Sequence, residues 1–279
     1  MPPVALVVFA IASVQVGAAL SKSLFDEIGP GGTVLVRVAA AALVLSLVWR
    51  PSIAGRSRRE LGLILPFACV LAGMNLAFYA ALERLPLGIV VTFEFVGPLG
   101  VAVLGSRKPL DLAWVGLAAV GILLLSDFGT ADLDRVGVAL ALTAGAFWGA
   151  YILLTARVGQ AFPGGSGLSL AMLLAVIPLA PIGIADGGSE LLVPSVLLVG
   201  AAVGILSSAI PQALELEALR HLPTGVFGVL MSLEPAVAAL VGFVVLGEDL
   251  ATREVVAIML VVAASAGAAR GATLAPRDA

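Results

Sequence analysis

The sequence predicts an all-α polytopic membrane protein of about ten transmembrane helices, arranged as two inverted five-helix repeats. Three observations predict it. The first is composition: 61% of the 279 residues are hydrophobic, only 12% are charged, and the mean hydropathy is +1.14. A soluble domain carries charge on roughly a quarter of its residues. The second is periodicity. Long apolar runs follow one another with no strand-like alternation, and lipid offers no water to an unpaired backbone group, so the runs read as helices. The third is a duplicated stretch. ALERLPLGIVVTFEFVGPLGVAVLG, residues 81–105, returns in outline as ALRHLPTGVFGVLMSLEPAVAALVGFVVLG, residues 218–247. Pro86 matches Pro223, Gly88 matches Gly225 and Pro98 matches Pro235.

A crossing helix needs about 20 apolar residues. Cutting at charge clusters and Gly/Pro corners gives runs at 4–20, 33–49, 61–82, 88–105, 112–126, 136–155, 168–185, 194–218, 225–246 and 253–269. The fifth is short for a straight crossing. No basic residue precedes Lys22, so the run 4–20 reads as a retained span and not as a signal peptide.

The linkers set orientation. Arg50, Arg56, Arg58, Arg59, Arg107, Lys108, Arg157, Arg220, Arg270 and Arg277 fall on one side; Lys22, Arg84, Arg135 and Arg253 fall on the other. The second side also holds most acids, among them Asp26, Glu27, Asp127, Asp132, Asp134, Asp186, Glu190, Glu248, Asp249 and Glu254. The positive-inside rule puts the first side, and both termini, in the cytoplasm of a multi-pass bacterial inner-membrane protein. Spans three and four match spans eight and nine, five spans later. An odd interval inverts the second copy, and inverted repeats are a recurrent basis for alternating access. Gly17-Ala18 against Gly149-Ala150 extends the match weakly to spans one and six. The expected division is residues 1–130 and residues 131–279, five spans each.

Ionisable groups inside spans are costly and face the protein interior or a water-filled cavity. Arg37, Glu94, Glu215, Glu217 and Glu234 qualify. Arg37 and Glu94 sit at similar depth on spans running the same way, so they are expected to be able to pair, or to address the two charges of a zwitterion; Glu94 is also the first choice for proton exchange. Glu234 precedes Pro235 and lies nearly one turn past the position equivalent to Glu94. Glu215 and Glu217, two residues apart, do not share a helix face, and Glu217 is expected to reach the interface. Asn75 aligns with Gln212 as a hydrogen-bonding pair for substrate. Tyr79 follows Asn75 by one turn, Gln15 sits in the outer half of span one, and Trp148 and Tyr151 are aromatics amid small residues. The alternative for Asn75 and Gln212 is helix–helix bonding, and for Trp148 and Tyr151 it is packing. Trp49 and Trp114 read as interfacial belt residues, and His221 as a corner residue.

A net charge of −3 gives no case for nucleic acid as a partner. One Cys, Cys69, and one His leave no zinc set and no nucleophile-and-base pair, so an intramembrane enzyme is not expected. No phosphate-cradling or dinucleotide loop occurs, and no cofactor is implied. Coupling is then to an ion gradient or to the substrate gradient.

On these residues the chain resembles the EamA-type transporters of the drug/metabolite transporter superfamily. The marks are SLEPAVAALVGFVVLGEDL at 232–250 and NLAFYAALERLPLGIVVTFEFVGPLGVAVLGSRKPLD at 75–111. The Glu94-Phe-x-Gly-Pro pattern and the shortened Gly-Ser-Arg-Lys-Pro end are similar to the threonine/homoserine exporter subgroup. The resemblance implies ten helices in two inverted units and export of small amino acids with proton exchange. It also implies a central cavity compatible with Asn75, Tyr79, Glu94, Gln212 and Glu234. The rival within transport is a carrier of drugs, purines or sugar derivatives on the same fold.

Overall fold

The computed structural model describes residues 1–106, 108–125, 134–241 and 252–273, and all regular structure in them is helical. The order is α1 (Pro3–Trp49), α2 (Arg58–Leu82), α3 (Leu87–Glu94), α4 (Val96–Gly105), α5 (Pro109–Leu125), α6 (Arg135–Ala161), α7 (Ser166–Gly187), α8 (Pro194–Gly204), α9 (Ile210–Leu219), α10 (Thr224–Met231), α11 (Leu233–Val241) and α12 (Thr252–Thr273). Among the described residues, six stretches are long and apolar enough to cross a membrane: Leu24–Trp49, Arg58–Leu82, Arg135–Ala161, Ser166–Leu192, Pro194–Leu219 and Thr252–Arg270. Four shorter apolar helices, Pro3–Ala18, Ile89–Gly105, Pro109–Leu125 and Thr224–Ala238, fall on the other expected spans. The acids at 127, 132, 248 and 249, Arg107, Arg277 and the end of the ninth run lie outside the described residues.

Helix ends follow local chemistry. Ser57 and Glu60 cap α2 reciprocally, each side chain accepting from the other's backbone N–H. Asp134 caps α6: the Val136 backbone N–H, and then Arg84 at 3.3 Å, hold its carboxyl below the usual carboxylate range. At the expected polar corner between spans one and two, helix runs up to the corner and away from it, and the direction changes at one non-helical residue, Gly29, with φ 67° and ψ 174° ahead of Pro30. Only glycine occupies that region readily.

Three other prolines interrupt three spans. A proline has no N–H for the carbonyl four residues back, and its ring crowds that carbonyl. Pro98 therefore breaks the fourth span behind Glu94, with Phe95 as the joint between α3 and α4. Pro235 breaks the ninth span at Ser232, between α10 and α11. The interval from Phe95 to Ser232 equals that from Pro86 to Pro223, and both prolines precede their short helices with nearly the same backbone angles, φ −56° and ψ 143° against φ −59° and ψ 139°. In the eighth span, a π turn at Ile205–Ala209 joins α8 to α9 just before Pro211. The π-type partner of the Leu206 carbonyl would be Pro211, which has no donor; the Ser13 hydroxyl of α1 donates there instead, at 2.6 Å.

The kinked α1 packs against α7, α8 and α9, α2 against α6 and α7, α5 against α12, and α4 against both α6 and α10. The main core gathers Ile11, Phe67, Leu71, Phe95, Tyr151 and Phe227. Glycine sets the closest crossings. A Cβ on Gly97 of α4 would collide with the Gly145 carbonyl of α6, and one on Gly228 of α10 with the Pro98 carbonyl of α4.

Gly97→Ala and Gly228→Ala are each expected to destabilise the folded protein by about 1–3 kcal/mol through overpacking. Thermal unfolding in detergent checks this, and unchanged melting temperatures in both variants would contradict the crossings described.

Candidate functional site

Arg37 lies on α1 past the kink. Its guanidinium donates to the Asn75 Oδ1 of α2, and the Asn75 amide group donates in turn to the Leu71 carbonyl at 2.8 Å. The Arg37 Nε is buried and has no hydrogen-bond partner. Expected pairing with Glu94 is not what forms: among the described residues no carboxylate comes within the 4.0 Å of an ion pair to Arg37. Glu94 is close enough to sense the Arg37 charge but does not bond it. Asn75, and not Glu94, is the residue that Arg37 bonds.

Asn75 and Tyr79 line one cavity of about 490 Å³ between α1, α2, α6 and α7, with Gly73, Phe147, Leu179 and Ile182 among its apolar walls. Glu83 and Asp186 stand at its lining as well, and Asp186 Oδ2 accepts the Gly31 backbone N–H at 2.9 Å, tying α7 to the α1 kink. Tyr79 meets Phe25 and Phe78 with ring centroids 6.3 and 5.4 Å away.

The carboxylates form a chain of electrostatic neighbours. Glu94 senses Glu234, and Glu234 is in turn sensed by Glu215. Glu94 and Glu234 are half-buried, and Glu215 is buried at 9% exposure. Each acid stands beside one of the proline-made irregularities: Glu94 four residues before Pro98, Glu234 next to Pro235, Glu215 four after Pro211. Gln15 of α1 donates to the Glu234 backbone carbonyl at 3.4 Å, so α1 touches the second break as well. Gln212 has a buried Oε1 with no partner. Trp148 packs edge-on against Phe95, the joint of the fourth span, with centroids 4.9 Å apart.

Sequence reasoning missed one pair. The Tyr151 hydroxyl of α6 donates to Glu215 Oε2 at 2.8 Å, both residues are buried, and Tyr151 stacks on Phe67 at 5.8 Å. Sixty-four positions separate Tyr151 from Glu215, and no local pattern reports such a contact. Glu217 does reach the surface region, bonded to Arg220 at 2.6 Å and His221 at 3.2 Å. Arg220 also donates to the carbonyls of Gly159, Phe162 and Gly164, which fastens the end of α9 to the turn between α6 and α7. Trp49 covers Gly164 and Gly165 of that turn, so its ring packs on protein as well as at a helix end. Among the described residues no three of His, Cys, Asp and Glu gather as a metal would need.

Arg37, Glu94, Glu215 and Glu234 lie on broken or kinked helices, but of the expected site residues only Asn75 and Tyr79 line the cavity described. The chemistry of these side chains suits a small molecule bearing both an anionic and a cationic group.

Comparison with known proteins agrees on family and fold. The sequence profile of the EamA-like transporter family matches residues 135–270. The chain is 41% identical over 267 residues to the threonine/homoserine exporter RhtA of Escherichia coli K12, across 95% of this chain and 90% of that one. RhtA of Salmonella typhimurium LT2 matches at the same identity and coverage. The uncharacterized transporter YwfM of Bacillus subtilis is 29% identical over 157 residues, 55% of this chain and 53% of that one. A crystal structure of a protein 18% identical to this one superposes with a TM-score of 0.81 over 97% of both chains, which shows the fold alone.

Tyr151→Phe is expected to leave a buried carboxyl short of its donor and to cost about 1–3 kcal/mol. A melting temperature equal to that of the wild type would contradict the Tyr151–Glu215 bond.

Proposed function

The chain belongs to the EamA-like transporter family, and on that premise we propose that it exports small amino acids of the threonine and homoserine kind across the bacterial inner membrane, by alternating access and in exchange for protons. It is a multi-pass membrane protein, and its relatives are transporters. The single observation that carries the cargo reading is the set of Arg37, Glu94, Glu215 and Glu234 inside the spans. Charge at such depth is expensive, and a carrier that must hold both ends of a zwitterion has use for both signs.

In this reading Arg37 takes the substrate carboxylate, as a planar fork with several N–H donors suits it. Glu94 and Glu234 take the ammonium group or a proton, one replacing the other. Asn75, Tyr79, Gln15 and Gln212 supply hydrogen bonds to the rest of the molecule, and Trp148 and the Tyr151–Glu215 pair bound its size. Two units, residues 1–130 and 131–279, rock against each other as inverted repeats. Discontinuous helices near the midplane are a recurrent setting for such sites, which supports assigning the breaks at Phe95 and Ser232 to the moving parts. Both termini are cytoplasmic, as the basic loops direct.

The purified protein in liposomes tests this. Saturable flux of labelled threonine or homoserine that responds to a pH gradient is expected. Glu94→Gln, folded by its melting curve, is expected to lose that flux by more than about tenfold, equivalent to about 1.4 kcal/mol of barrier. Wild-type rates in Glu94→Gln would remove this acid from the site.

A further inference from the structure

Arg37 holds a position that costs free energy unless something completes it. A guanidinium carries five N–H donors. In the described structure it makes one hydrogen bond, to Asn75, and its buried Nε makes none. The group that faces it is a neutral amide, where an acid would pair the charge. The amide's orientation is fixed: Nδ2 donates to the Leu71 carbonyl, so Oδ1 is the atom left to accept from Arg37, and the reverse orientation would set N–H against N–H and carbonyl against carbonyl. Glu94 senses the same charge from beyond ion-pair distance and senses Glu234 as well. Asn75, though not Arg37 itself, borders the cavity of about 490 Å³, a volume within the range of small-molecule sites.

We propose that Asn75 is the specificity-determining residue of this site: by holding Arg37 in place through a neutral amide, it leaves the guanidinium charge open, so that the site selects molecules that carry a carboxylate. This rests on the reading that the cargo is an amino acid. An Asp in the same place has nearly the same shape and would fill the guanidinium fork from within. The protein would then contain its own carboxylate where the cargo's belongs. Specificity here comes from a partner withheld. Asn75 is accordingly a positioning residue that sets which ligand Arg37 can take, and the polar contact it makes is secondary to the charge it lacks.

The test sets stability against transport. Wild type, Asn75→Ala and Asn75→Asp are purified, melted in detergent and assayed in liposomes for homoserine flux. Asn75→Asp is expected to melt at or above the wild type and yet to raise the KM for homoserine more than about tenfold, whereas Asn75→Ala, which keeps the charge open, raises it only about threefold. A merely structural Asn75 gives the opposite order, because an acid preserves the contact to Arg37 that alanine removes. Asn75→Asp transporting as well as Asn75→Ala, or better, overturns the proposal. If Asn75→Asp does not fold, Asn75→Ser carries the test: neutral and able to accept from Arg37, it is expected to keep the KM within about threefold, and a tenfold rise overturns the proposal. Wild-type liposomes that carry no amino acid sink the cargo reading and this proposal together. Wild-type flux with an active Asn75→Asp variant sinks this proposal alone.

Discussion

Hydrocarbon gives a buried polar group no partner, and that constraint explains more of this molecule than any single contact. It requires the backbone to close its hydrogen bonds within helices. A proline inside a span then removes one donor where water does not replace it; α2 and α7 run on past Pro66, Pro178 and Pro181, but elsewhere the helix breaks. Pro98, Pro211 and Pro235 do this in three spans. At Pro211 the consequence can be followed atom by atom: a π turn forms, the Leu206 carbonyl is left over, and Ser13 of another helix satisfies it. At Pro98 the freed carbonyl is that of Glu94, and Gly145 of α6 brings its bare backbone against it.

The same constraint acts on charge. Three acids stand next to these irregularities, and each has a different surrounding. Glu215 receives the Tyr151 hydroxyl, Glu234 has its backbone carbonyl engaged by Gln15, and Glu94 stands between the charges of Glu234 and Arg37 without a close partner. Arg37 has only an amide. No side-chain hydrogen bond or ion pair reaches the carboxylate of Glu94 or of Glu234 among the described residues, and the oppositely charged Arg37 makes one. Around them the helices approach closely through glycine at Gly97, Gly145 and Gly228. Local bonding, incomplete charge and close packing are thus found in the same region of the fold.

How much of this was legible beforehand differs by level. The spans were plain, since apolar runs and charged linkers mark a bilayer directly, and the six long helices and four shorter ones follow the runs closely. The breaks were legible in part because proline acts locally. The corner between the first two spans was legible as a change of direction, while its tightness, one non-helical glycine between two helices, was not. Partners were the least legible. Depth along a span follows from counting residues, whereas the rotation of one helix against another depends on packing of the whole bundle. Of the two alternatives for Arg37 and Glu94, the ion pair does not form, and Tyr151 with Glu215 was not foreseen. The cavity shared by Asn75 and Tyr79 was easier, because one turn of a single helix relates them.

The central claim is that an open cation and an open acid read the two ends of one small molecule. Calorimetric titration of the wild-type protein compares homoserine with 3-aminopropan-1-ol, which keeps the ammonium and hydroxyl groups and lacks the carboxylate. The account predicts saturable binding of homoserine and affinity for the amine weaker by more than about tenfold, the loss of one charge-assisted contact. Equal affinity for the two would contradict it, since Arg37 would then play no part in recognition.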